Sequence, residues 1–261
     1  MIKVIIVAST ALVSNFAHSQ SGSDKTSQAM VAIQGNHSRN KISKTIIFAT
    51  GYTAATLVCY RYFDTDIKNF AQHNQNETVT DIAKVYERLG KGTSSIIITA
   101  STGIAAVISK NGRLVKTTIL LIGGHVINDF VTNQFKITFQ RHRPNTGDPY
   151  NLFDWRGGPK TNLSFFSAHT SNLFTTATAF ATCFKNTKWV PIVSYSLAGL
   201  VGLCRIYNNE HWASDVLAGA ACGFASIKAM NGVYNLLTKR YSFFPQVSNG
   251  HYGLTILYCL K

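Results

Sequence analysis

Arg205, His211 and Asp215 close the stretch Arg205-Ile-Tyr-Asn-Asn-Glu-His-Trp-Ala-Ser-Asp215, and together they offer an anion clamp, a nucleophile or base, and an orienting carboxylate. If His211 and Asp215 share a helix, their i, i+4 spacing sets them on one face. The carboxylate can then fix the imidazole tautomer and stabilise its protonated or substituted form. Asn208-Asn209 suits a turn that brings Arg205 back toward His211. A surface arginine beside an ordinary helical His–Asp pair is the competing reading.

Two further groups of residues could serve the same chemistry. Lys136 and Arg143 are seven apart, about two helical turns, so both could project from one face near a helix end that Pro144 stops. A guanidinium fork and an ammonium point charge suit a multiply charged oxyanion. The alternative is a solvated cationic helix end that also carries Arg141 and His142. In Ser164-Phe-Phe-Ser167-Ala168-His169, directly before an apolar helix, Ser167 offers a hydroxyl and the helix start offers backbone N–H groups for an anion. His169 is placed to protonate a leaving group, or is simply a polar neighbour of the cap. Phe165, Phe166 and Phe174 read as core.

The ordered set Lys-x6-Arg-Pro (Lys136, Arg143, Pro144), Ser-x-His (Ser167, His169) and Arg-x5-His-x3-Asp (Arg205, His211, Asp215) resembles the type 2 phosphatidic acid phosphatase (PAP2) superfamily. That superfamily includes bacterial acid phosphatases, lipid phosphate phosphatases and vanadium-dependent haloperoxidases. The stretch from Arg205 to Gly219 looks like that of exported members that end in a strand. The resemblance implies an all-α fold, a multi-helix bundle with a short strand-like C-terminal tail. It also implies a metal-independent phosphatase in which His211 attacks phosphorus, Asp215 orients it, and His169 protonates the leaving group and then activates water. Lys136, Arg143, Ser167, the Ala168 N–H and Arg205 would bind the phosphate. No metal or other cofactor is implied, and vanadate should act as an inhibitor or phosphate mimic. Two departures stand out: Ala168 where the family usually has Gly, and Cys204 where it commonly has Ser.

These residues need elements to hold them. Apolar runs at about 45–59, 94–109, 117–131, 172–184, 189–204 and 216–227 are long for strands and rich in Ala, Leu and Ile, so they read as helices. The amphipathic segment 78–89 places Ile82, Val85, Tyr86 and Leu89 at helical spacing and ends at Gly90-Lys91-Gly92. Residues 251–261 read as a strand entered through a Gly-rich turn. The resulting division is 1–19, a signal peptide or apolar N-terminal segment; 20–44, a polar lead-in; 45–240, the helical domain; and 241–261, the tail.

Composition bounds the partners. Charged residues are 14% of the 261, against about 25% in ordinary soluble domains, while hydrophobic residues are 46%. A formal charge of +14 favours phosphate-bearing partners. The basic residues are scattered without a binding module, which argues against nucleic acid. The apolar runs are short for membrane spans, which need about 20 residues. Cationic clusters at Lys110/Arg113/Lys116, Lys185/Lys188 and Lys239/Arg240 nevertheless fit cytoplasmic ends, with the chemistry on the outer side. A cleaved signal would set the first helix the opposite way, so the two readings conflict. The five cysteines suit small buried positions and show no zinc spacing.

The reading that results is an exported envelope protein, membrane-associated with its site facing the periplasm, hydrolysing a lipid phosphate or pyrophosphate. The alternatives are a soluble periplasmic acid phosphatase of broad specificity, a vanadate-dependent haloperoxidase, and a non-catalytic phospholipid-binding envelope protein.

Overall fold

Capped helix starts and left-handed helix ends divide this chain into its elements. A computed structural model of the chain describes residues 47, 49–158, 162–248 and 251–258. The apolar segment 1–19 and the lead-in 20–44 lie outside these residues. Two compact units emerge, and the larger, residues 52–232, carries every candidate site residue.

Helical residues 52–58 run into a π-helical turn, Cys59–Phe63, and then α1, Asp64–His73. There follow α2 (Glu77–Leu89), α3 (Gly92–Ser109), α4 (Gly112–Phe139), α5 (Ala168–Cys183), α6 (Trp189–Tyr207) and α7 (Ala213–Arg240). Asn76, Asn111 and Ser167 cap α2, α4 and α5, each accepting a hydrogen bond from a first-turn N–H. Lys110 and Gln140 end α3 and α4 in the left-handed region, at φ 50° and 44°.

The core is unusual in being polar. α5 buries Thr170, Ser171, Asn172, Thr175, Thr176 and Thr178, and packs chiefly on α6 and α4. The hydroxyls of Thr175 and Thr178 bond back to carbonyls one turn earlier, so these groups are satisfied within the helix. Asn128 of α4 donates to Ser171 Oγ (3.2 Å) and Asn172 Oδ1 (2.8 Å) and so crosslinks the two helices. α7 approaches α5 through Gly219 and Gly223, where a Cβ would lie 2.6 Å from Ser167 O and 2.3 Å from Ser171 O. This spacing of small residues lets two helix backbones meet without a hydrophobic driving force.

α3, α4, α6 and residues 213–238 of α7 are long and apolar enough to cross a membrane, and at most 28% of each best window is buried in the protein. The runs that read as too short for spans are parts of longer helices: α4 extends eight residues beyond Val131, and α7 begins three residues before Val216. Serine, threonine and glycine dilute the apolar pattern without breaking the helix. The all-α expectation holds for the apolar runs over their described residues, with α1 as an addition that no apolar run announced, while the described residues between α4 and α5 form no helix beyond a 3-10 turn at Pro144–Thr146. The single terminal strand becomes a hairpin, β1 (Tyr241–Ser248) and β2 (His251–Tyr258), antiparallel with Tyr241 opposite Tyr258 and Ser248 opposite His251. Pro245 disguises β1 in the sequence; in a two-stranded hairpin both strands are edges, where proline is tolerated.

Candidate active site

All the predicted site residues gather at one end of the bundle. Lys136 lies in the last turn of α4, Ser167 caps α5 and Ala168 and His169 open it, Arg205 lies in the last turn of α6, and Asp215 in the first turn of α7. Arg143 and His211 lie on the connecting segments.

Two local expectations are corrected. His211 and Asp215 do not share a helix, because α7 starts at Ala213. Asn209, at φ 58°, turns the chain so that the N–H groups of Glu210 and His211 both bond to Arg205 O, at 3.0 and 3.3 Å. That turn, expected from Asn208-Asn209, is what brings His211 under α6. Likewise α4 stops at Phe139 rather than at Pro144, so Arg143 is extended backbone and does not share a helix face with Lys136.

His211 is 3% exposed, and its Nδ1 lies 3.7 Å from Asp215 Oδ2. Ser164 mediates between them: its hydroxyl donates to Asp215 Oδ2 (2.5 Å) and sits 3.4 Å from His211 Nδ1. The Trp212 N–H donates to the same Oδ2, at 3.1 Å. With Nδ1 turned toward this carboxylate side, Nε2 is the nitrogen left for chemistry. Burial pushes His211 down to about 3, helped by the Lys136 and Arg205 charges and opposed by Asp215. His211 is therefore a neutral imidazole at ordinary pH.

The other oxygen of Asp215 belongs to Arg141. Sequence reasoning placed Arg141 on a solvated cationic end; it is 1% exposed. Its Nη1 donates to Asp215 Oδ1 (2.5 Å) and Ser214 Oγ (2.8 Å), and its Nη2 donates to Asp64 Oδ2 (2.7 Å). Nε and Nη2 also donate to Tyr150 O. The guanidinium lies 5.1, 5.6 and 5.5 Å from the ring centroids of Tyr60, Phe153 and Trp212. Asp64 in turn accepts from Ser214 N (2.8 Å) and Ser214 Oγ (2.5 Å). Every polar atom of this buried cluster is matched, which is what makes buried charge tolerable. His142, at the same segment, is held above the usual histidine range: slight burial opposes this, but hydrogen bonds to Asp148 and Asp154 prevail.

The cationic residues are only partly answered. Arg143 pairs with Glu210, and Arg205 lies 2.7 Å from Glu87 Oε1 and 3.3 Å from Glu210 Oε2. Even so, Arg143 Nε, Arg205 Nε and Arg205 Nη1 are buried without a hydrogen bond, the Glu87 contact being out of line. His169 Nε2 is in the same condition. Burial, with Arg205 next, lowers His169 to about 4. The side chain is pinned by Gly90, where a Cβ would come within 2.8 Å of His169 Cβ. Lys136 Nζ donates to Leu163 O. Ser167 Oγ accepts from Thr170 N and Thr170 Oγ1, at 3.4 and 3.0 Å, and keeps its own proton to donate.

Four groups escaped the sequence reading: the Arg141–Asp64 pair, Ser164, Glu87 and Glu210. Apart from Glu210 with Arg205, their partners are far along the chain, and no spacing advertises them. The departure at Cys204 has a local account. Cys204 lines an apolar cavity of about 490 Å3 with Ile67, Phe70, Tyr86 and Leu200, where a hydroxyl would gain nothing.

Comparison with known proteins bears on the family and the fold. Residues 117–239 match the PAP2 superfamily. A 104-residue stretch, 40% of the chain, is 38% identical to a Lipid A 1-phosphatase of Porphyromonas gingivalis, and the match covers 19% of that protein, so the chain spans about a fifth of this relative's length. The crystal structure of Aquifex aeolicus LpxE superposes with a TM-score of 0.53 at 20% identity, covering 65% of this chain and 94% of that one. A transmembrane PAP2-type phosphatidylglycerolphosphate phosphatase from Bacillus subtilis superposes with a TM-score of 0.55 at 16% identity, over 74% of this chain and 96% of that one. The family match places the segment 117–239 of this chain in the PAP2 superfamily, and four of the chain's helices are long and apolar enough to associate with a membrane.

Proposed function

We propose that the chain is a phosphatase that removes the terminal phosphate of a lipid through a phosphohistidine on His211. The observation that carries this is the set of buried polar groups without a hydrogen bond at the same end of the bundle as a neutral His211: Arg143 Nε, Arg205 Nε and His169 Nε2. An unpaired buried donor costs about 1–3 kcal/mol, so an oxyanion that fills several of them at once is bound strongly.

In this scheme Lys136, Arg143 and Arg205, with the Ser167 hydroxyl and the first N–H groups of α5, hold the equatorial oxygens. Nε2 of His211 attacks phosphorus; the N–P bond forms as the bond to the leaving oxygen breaks, and that oxygen takes a proton from His169. Asp215 offsets the positive charge that the substituted imidazole acquires. Water then gives a proton to His169 and its oxygen to phosphorus, the N–P bond breaks, and inorganic phosphate leaves. The Ala168 methyl leaves the N–H in place, so neither departure from the usual motif removes a group the cycle uses.

The lipid character of the substrate is supported by the apolar spans and by the relative named as a lipid A phosphatase. The site is expected to face the periplasm, and the cycle to run without a metal ion. Phosphate release from a lipid phosphate, with trapping of an acid-labile phosphoenzyme, tests the scheme. His211→Ala should abolish both, vanadate should inhibit the wild type, and a chelator should leave turnover unchanged. If His211→Ala keeps most of the turnover, the mechanism is wrong.

A further inference from the structure

One cavity with a few polar groups in its wall takes no part in this cycle. It lies between α3, α4 and α5, has a volume of about 340 Å3, and is lined by Ser95, Thr99, His125, Asp129 and Asn172 among Gly92 and apolar side chains, the Thr99 hydroxyl being spent on Ser95 O. Its upper rim adjoins the proposed proton donor: Asn172 follows His169 by one helical turn, and Gly92 stands two residues after the Gly90 that packs on His169. From there it descends along α4. Asp129 precedes Lys136 by seven residues, about 10 Å along the axis, and His125 is one turn deeper.

The chemistry of its wall is selective. Asn172 is committed, accepting from Asn128 Nδ2 at 2.8 Å and donating to Gly90 O at 3.5 Å. His125 Nε2 is anchored 3.2 Å from Thr176 Oγ1. Asp129 is exposed and, among the described residues, forms no hydrogen bond or ion pair, His125 one turn before it being within electrostatic reach, although its helix is one of the four fit to cross a membrane. A carboxylate at that depth needs a donor, and hydrocarbon supplies none.

We propose that this cavity is the subsite for the leaving group, at the level where chains join the headgroup, and that Asp129 there selects lipids bearing N–H or O–H donors. Amide-linked or hydroxylated chains satisfy it. Ester-linked chains present only acceptors, which a carboxylate repels. The inference rests on the phosphatase reading above, whose reaction supplies the leaving group.

The test uses the full chain in mixed micelles with two substrates of matched chain length: ceramide 1-phosphate, which carries an amide N–H and a hydroxyl, and phosphatidate, which carries neither. The wild type should favour the former by roughly tenfold or more in kcat/KM, the worth of one hydrogen bond to a charged group. Asp129→Leu should erase that preference while retaining turnover of phosphatidate, which also shows that the variant is folded. Equal rates on both lipids in the wild type, an unchanged preference in the variant, or an equal loss on both substrates would overturn the subsite. Release from neither lipid by the wild type would instead sink the phosphatase reading, and the subsite with it.

Discussion

His211 and His169 are both held neutral in the free protein, at about 3 and about 4, yet the proposed cycle uses one as a nucleophile and the other as an acid. The conflict resolves at the substrate. Burial and then Arg205 depress His169, with Lys136 adding to them, and a bound phosphate dianion offsets both cations and returns the proton. Because kcat/KM reports the free enzyme and kcat the complex, kcat/KM should decline as pH rises above about 4, while the decline in kcat is displaced to higher pH. Coincident profiles, or a kcat/KM that is flat from pH 4 to 8, would contradict a protonated His169 as the acid. Both depressed values also mean that the unfolded chain takes up protons first. Native stability is thus fully present above about pH 6.5 and lost as pH falls toward 4 and 3, so circular dichroism must accompany the acid limb. At this scale the sequence was most legible. Lys136, Arg143, Ser167, His169, Arg205, His211 and Asp215 were readable because motif spacing survives without coordinates. Ser164 was not, since its meaning comes from a carboxylate 51 residues away.

Elements decide whether those residues meet. Arg141 ties α1 through Asp64, the α4–α5 segment through Tyr150, and α7 through Ser214 and Asp215. Arg141→Gln leaves two buried carboxylates unanswered and should destabilise the protein by about 3–5 kcal/mol, with loss of turnover. Adding Asp64→Asn should restore most of the thermal stability but little of kcat, because Asp215 Oδ1 still lacks its anchor. Recovery of both in the double variant would reduce Arg141 to a purely structural role. The helices were legible as apolar runs, but their ends were not. The turn at Asn208-Asn209 was readable, but the left-handed Gln140 is a glutamine rather than a glycine, so the end of α4 is not obvious in the sequence, and α1 is too short and polar to stand out.

Seen whole, the bundle is polarised. The site occupies the ends where α4 and α6 finish and α5 and α7 begin, while Lys110, Arg113 and Lys116 flank the α3–α4 turn and Lys185 and Lys188 the α5–α6 turn, at the opposite end. That separation was readable from charge alone, whereas the fitness of four helices to span was hidden by their serines and threonines. A membrane-impermeant maleimide added to intact spheroplasts should label Asn145→Cys, beside the site, and leave Asn186→Cys unlabelled until the membrane is broken. The reverse pattern would place the chemistry in the cytoplasm. The buried guanidinium of Arg141 has a consequence for synthesis. One carboxylate it needs comes from α1 and the other from the last span, so the nascent chain has no finished charge cluster until α7 has left the ribosome. On the proposed cycle, a chain that stops before Asp215 would therefore lack turnover.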